Sequence, residues 1–127
     1  MIDVPEQAVK LIKAQGYENV FLKRLDALTG REGIVVRRIP STVTGYDYTR
    51  SKELAYLYQV IVRTRSPKEG METAEELEKL LDGAKLRSGN GSFFFVSQET
   101  YTPTQELELD ESGFYAYEFR IKAVIMI

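Results

Sequence analysis

The chain contains no cysteine and no histidine. Without cysteine it has no disulfides and no thiolate metal sites, which fits a reducing compartment. Without histidine it lacks the commonest general base, the usual zinc ligand and any Ser-His or Cys-His dyad. No apolar run approaches the roughly 20 residues of a membrane helix. The opening MIDVPEQAVK lacks the basic-then-apolar order of a secretory signal. Glycine is present but not at phosphate-cradling spacing, because no Lys-Ser or Lys-Thr follows Gly89-Asn90-Gly91. Acids are plentiful, yet none is spaced as a catalytic pair. Glu106, Glu108 and Asp110 alternate, but without the loop glycine of a calcium site they read as a charged hairpin edge. The sequence therefore calls for no enzyme activity, no metal and no cofactor.

Strong net charge is also missing. The formal charge is −2, too little for a global attraction to nucleic acid. It is unevenly spread, however. Residues 1–65 hold 11 Lys and Arg against 7 Asp and Glu, a net of +4, and residues 66–127 hold 6 against 12, a net of −6. This division is either solvated surface or the basis of head-to-tail self-association.

What is present is the pattern of a single domain over residues 1–127. Val4-Pro5-Glu6 opens a helix, with Asp3 as N-cap and Val4, Ala8, Leu11 and Ile12 on one face. Gly16 supplies its stop. Residues 19–25 and 33–39 read as short strands, the second ended by Pro40. Residues 41–53 (STVTGYDYTRSKE) have no sustained apolar face and read as a long exposed loop, although Tyr46 and Tyr48 alternate as a strand edge would. Residues 54–65 alternate clearly: Tyr56, Tyr58, Val60 and Val62 form a core face, with Leu57, Gln59, Ile61 and Arg63 opposite. Ser66-Pro67-Lys68-Glu69 has the form of a capping box before a helix striped by Met71, Ala74, Leu77 and Leu81 and ended by Gly83. After a turn cluster at 88–92, Phe93-Phe94-Phe95 begins another strand. Residues 100–113 read as the outer part of a hairpin, or a loop.

The last strand carries the strongest signal. Tyr115, Tyr117, Phe119, Ile121, Ala123, Ile125 and Ile127 form one apolar row, and the opposite row starts charged and ends in Val124 and Met126. The expected fold is an α+β two-layer sandwich, with a mainly antiparallel sheet and two helices packed on one face. In such a fold Leu57, Ile61, Val124 and Met126 lie on the open sheet face. Covering a side chain of that size is worth about 1.5–3 kcal/mol. The cover is either a second copy of the chain or the 41–53 or 100–112 segment folding back. A competing reading sets Arg37-Arg38 beside the three phenylalanines as a single-stranded nucleic-acid platform. Adjacent arginines on a strand point to opposite faces, and the net charge is negative, so nucleic acid is the weaker partner.

The amphipathic first helix leads through a glycine turn to Val20-Phe21-Leu22. Then come the strand Tyr58-Gln59-Val60-Ile61-Val62-Arg63, the helix bearing Ala74, Leu77 and Leu81, and a closing hairpin. Over nearly the whole chain this arrangement resembles the phage minor capsid or tail-completion proteins, the group that includes the tail terminators of long-tailed phages. The resemblance implies a structural virion protein without a catalytic site, assembled in the host cytoplasm and sited at the head–tail interface. It implies a ring, commonly a hexamer, that caps the tail tube and joins it to the head. The implied partners are further copies of the chain, the tail tube protein and a head-completion or connector protein, with no membrane. Leu57, Ile61, Val124 and Met126 are then the expected subunit interface, and Tyr46, Tyr48, Arg50 and Lys52 the expected partner contacts.

Overall fold

The computed structural model describes residues 2–22, 32–46, 52–107 and 113–127, with residues 42–46 in backbone alone. The elements are α1 (Val4–Ala14), β1 (Val20–Leu22), β2 (Gly33–Arg38), β3 (Thr42–Tyr46), β4 (Lys52–Thr64), α2 (Pro67–Leu81), β5 (Phe94–Leu107) and β6 (Tyr115–Met126). The six strands form one sheet in the order β1-β2-β4-β6-β5, with β3 also paired to β4. Only β1 and β2 run parallel among these pairs; the others are antiparallel. This is the expected α+β sandwich.

The core lies between the sheet and the two helices. Val4, Ala8, Val9 and Ile12 of α1 and Ala74, Leu77 and Leu81 of α2 pack on Tyr56, Tyr58, Val60 and Val62 of β4 and on Tyr117, Phe119, Ile121, Ala123 and Ile125 of β6. The closing row of β6 therefore sits under the helices, as its period of two requires. Its last member, Ile127, lies beyond them at 43% exposure, held by reciprocal backbone hydrogen bonds with Lys52.

Local chemistry explains the ends of the helices. The Ser66 hydroxyl accepts from the Glu69 amide at 3.4 Å, and Pro67 takes the first helical position, where its missing N–H leaves nothing unpaired. Gly16, at φ +103°, ends the first helix region in a backbone conformation that L side chains avoid. Asp3 holds the N-cap position of α1 but its side chain does not cap the helix. Its carboxylate instead accepts from Ser88 Oγ at 2.7 Å, Gly89 N at 2.7 Å, Ser92 Oγ at 2.9 Å and Gln7 Nε2 at 2.9 Å. The start of α1 is thus pinned to the turn before β5. Burial disfavours the Asp3 charge, but the hydrogen bonds from Ser88, Gly89, Gln7 and Ser92 together outweigh it. They hold the carboxyl well below the usual range.

Gly70 lets α2 lie close on the sheet. A Cβ there would stand 2.6 Å from Thr64 Oγ1 and 2.7 Å from Tyr117 Cε2. One segment differs from expectation, and one of two alternatives is decided for another. Part of the 41–53 segment is the strand β3, paired with the first residues of β4. The β5 strand runs on to Leu107, so the hairpin reading of that region holds. Its register with β6 shifts between Phe95 and Ser97, between Thr100 and Thr102, and between Thr102 and Gln105. Such bulges break strict alternation and hide a strand from pattern reading.

Candidate interaction surface

The sheet face away from the helices divides into a polar middle and an apolar end. The middle is a ladder of side chains across four strands. Arg37 Nε of β2 donates to Gln59 Oε1 of β4 at 2.6 Å, and Gln59 Nε2 donates to Glu118 Oε2 of β6. From the other side, Gln105 Nε2 of β5 donates to Glu118 Oε1 at 2.7 Å, and Arg120 approaches the same oxygen at 3.4 Å. Glu118 is only 1% exposed and Gln59 only 4%. A buried carboxylate held by two amides and a guanidinium is satisfied, and the ladder ties the central strands into one register.

The apolar end lies where β6 stops. In register, Phe94 of β5 stands opposite Met126, which stands opposite Glu53. Val124 stands opposite Ala55, and Leu57 opposite Lys122. Among the four expected interface residues, Leu57, Val124 and Met126 are half-buried on this face. Ile61 is only 4% exposed and sits between its cross-strand neighbours Val35 and Glu118, so it offers little surface. Phe94, at 81% exposure, is the residue that sequence reasoning missed. The run of three phenylalanines was its signal. Phe93 is buried and Phe95 packs on the core, which leaves the middle ring outside. Val96, 56% exposed, lies in the bulge beside it.

A cavity of about 480 Å³ adjoins Phe94, lined by Lys85, Leu86, Arg87, Ser88, Gly91 and the three phenylalanines. Lys85 and Arg87 are exposed, so this corner joins an apolar knob to a basic rim. The outer edge of β5 beyond it is occupied at three backbone groups. Gly83 N donates to Gln98 O, Thr100 N donates to Asp82 Oδ1 at 3.0 Å, and Thr104 N donates to Glu78 Oε1 at 2.6 Å. The end of α2 thus occupies edge groups that another strand would seek.

Of the expected partner contacts, Lys52 is exposed at the start of β4, and Tyr46 ends β3 with only its backbone described. Tyr48 and Arg50 lie outside the described residues. The nucleic-acid platform is not assembled. β4 and β6 separate β2 from β5, Arg37 is bonded to Gln59, and Arg38 lies 5.1 Å from the Tyr56 ring centroid.

The chemistry for catalysis is equally sparse. Burial pushes the Tyr58 phenol far up, against the lowering effect of its hydrogen bond to Gln98. Burial also pushes Tyr56 up to about 12, against the charge of Arg38 and with the charge of Glu6. Neither phenol is poised as an acid or base near neutrality. Among the described residues no group of three acids stands where it could hold a metal ion, and no helix is long and apolar enough to cross a membrane.

The sequence pattern of a family described as bacteriophage tail terminator protein matches residues 7–127. The chain belongs to the bacteriophage tail terminator family. It is a structural protein of the phage tail. Among solved structures, a chain from the virion of a native gene transfer agent particle is similar at a TM-score of 0.66 and 13% identity. The match covers 98% of this chain and 95% of that one, a likeness of fold. No curated protein matches the sequence.

Proposed function

We propose that this tail terminator assembles into a closed ring, a hexamer in the family's common form, that caps the tail tube and joins it to the head connector. The observation that carries this reading is the apolar corner of the open sheet face, where Phe94, Leu57, Val124 and Met126 stand together with nothing of the helix layer over them. The ring works by contact, without catalysis. Its subunit surface is this corner, with Ile61 farther along the same face of β4. Tyr46, Tyr48, Arg50 and Lys52, in the sequence from the end of β3 to the start of β4, contact the tail tube or the connector. The protein resides in the virion at the head–tail interface after assembly in the host cytoplasm.

The test is growth of tail tubes from purified tube protein with and without this chain, viewed by electron microscopy. The reading expects short tubes, each bearing added density at one end. Tubes of unchanged length with bare ends would contradict it. Single-stranded nucleic-acid binding, the rival function, has no observation in its favour once the arginines and phenylalanines are seen apart.

A further inference from the structure

The cavity beside Phe94 is built from two unlike parts. Its floor belongs to the core, because Leu86 and Phe93 are buried and Phe95 packs on the core cluster. Its wall is the 87–92 stretch, Arg-Ser-Gly-Asn-Gly-Ser, which has no apolar side chain to anchor it. Polar bonds hold it instead, and they converge on Asp3, only 7% exposed. Three of the four hydrogen bonds to the Asp3 carboxylate come from this wall, through Ser88 Oγ, Gly89 N and Ser92 Oγ, and the fourth from Gln7. Asp3 N donates in turn to Ser92 Oγ at 3.2 Å. The fit is also close. A Cβ at Gly89 would stand 2.8 Å from Gln7 Nε2 and 3.3 Å from Asp3 Oδ2.

We propose that Asp3 is a positioning residue of the interaction corner: its carboxylate fixes the wall beside Phe94, and Arg87 with it, in the shape that another copy of the chain meets. The partner in this inference rests on the ring reading; the hold of Asp3 on the wall does not. Phe94 itself is set otherwise. Its ring turns outward because Phe93 and Phe95 are anchored on either side and Phe94 pairs with Met126. Asp3 sets what surrounds the ring. Without the carboxylate, the Gly89 amide and the Ser88 and Ser92 hydroxyls replace their lost acceptor by turning to water, which swings the wall away. The floor stays, because Leu86, Phe93 and Phe95 are held by the core cluster. A wall that is loose in the free chain must be ordered at each contact, and that cost falls on association. Asp3 therefore matters more to assembly than to the fold of the protomer.

The test compares the native chain with Asp3→Ala, which removes every side-chain acceptor, and with Asp3→Asn, which returns one carbonyl oxygen and an amide that serine hydroxyls can accept. Amide hydrogen exchange reads the wall, and sedimentation velocity reads association. The inference expects Asp3→Ala to keep native exchange in β4 and β6. It expects exchange at Gly89 and Ser92 to speed up by about tenfold or more, and association to weaken by a similar factor. Asp3→Asn should fall between the two chains in both readouts. If Asp3→Ala fails to fold, the double variant Ser88→Ala with Ser92→Ala takes its place under the same expectations, because it removes two donors and leaves Asp3 intact. Two outcomes overturn the inference while leaving the ring reading intact. One is unchanged exchange along the wall, which shows that Asp3 does not hold it. The other is fast exchange along the wall with a ring mass that survives the same dilution, which shows that association ignores it. A native chain that stays a protomer at every concentration, also with tail tubes present, overturns the ring reading and the assembly role of Asp3 with it.

Discussion

Glu118 is a carboxylate in the middle of a strand, and by its residue type alone it belongs in water. The sheet gives it Gln59, Gln105 and Arg120 as partners and leaves it 1% exposed. Removing it strands the buried amide nitrogen of Gln59, so Glu118→Ala is expected to lower stability by about 1–3 kcal/mol in urea unfolding. An unchanged midpoint would show the ladder to be idle. Asp3 makes a prediction with a sign. Its carboxyl is held below the ordinary value in the folded state, so its contribution is full above the unfolded pKa of about 3.9. That contribution is lost as pH falls from there through the lower folded value. Urea midpoints measured from pH 5 to pH 2 should fall less steeply for Asp3→Asn than for the native chain, and equal slopes would contradict this. Neither role was legible in the sequence. Asp3 had the spacing of a helix cap, and three of its four partners lie 85 to 89 residues away. Glu118 stood in the charged part of the open-face row, where only the register with β4 and β5 shows that it is buried.

Elements with an unbroken period were the legible ones. β6 alternates without a break and its core row lies under the helices; α2 carried both its capping box and its stripe. β3 was hidden because Thr42–Tyr46 offers a single aliphatic residue and a glycine, so pairing with β4 and not its own pattern makes it a strand. The outer half of β5 leaves hairpin and loop open in the sequence, because its bulges reset the alternation. Two predictions belong at this scale. Helix propensity alone favours Gly70→Ala by about 1 kcal/mol. The added Cβ would meet Thr64 and Tyr117 too closely, so the expected net effect is a loss of about 1–3 kcal/mol, checked by the thermal midpoint. Glu78 accepts from both the amide and the hydroxyl of Thr104. Glu78→Ala should lower stability by about 1 kcal/mol and raise the turbidity of concentrated solutions by freeing the edge of β5. A clear solution with an unchanged midpoint would count against edge protection.

At the scale of the molecule, the family makes the chain a phage tail structural protein, and the proposed ring draws on the corner around Phe94, a ring 81% exposed. The sequence pointed to the open face through Leu57, Val124 and Met126 but missed Phe94, the most exposed ring among the described residues, because three consecutive phenylalanines do not say which one turns outward. The +4 and −6 halves do not map simply onto surfaces, because Lys85 and Arg87 form a basic rim beside Phe94 within the acidic half. The most direct measurement is the native mass of the purified chain by sedimentation velocity over a range of concentrations. The ring account predicts one discrete species at a fixed multiple of 14.5 kDa, six in the hexameric form, which falls to the protomer in Phe94→Lys. A native chain that stays at 14.5 kDa at every concentration, and also in the presence of tail tubes, would contradict it.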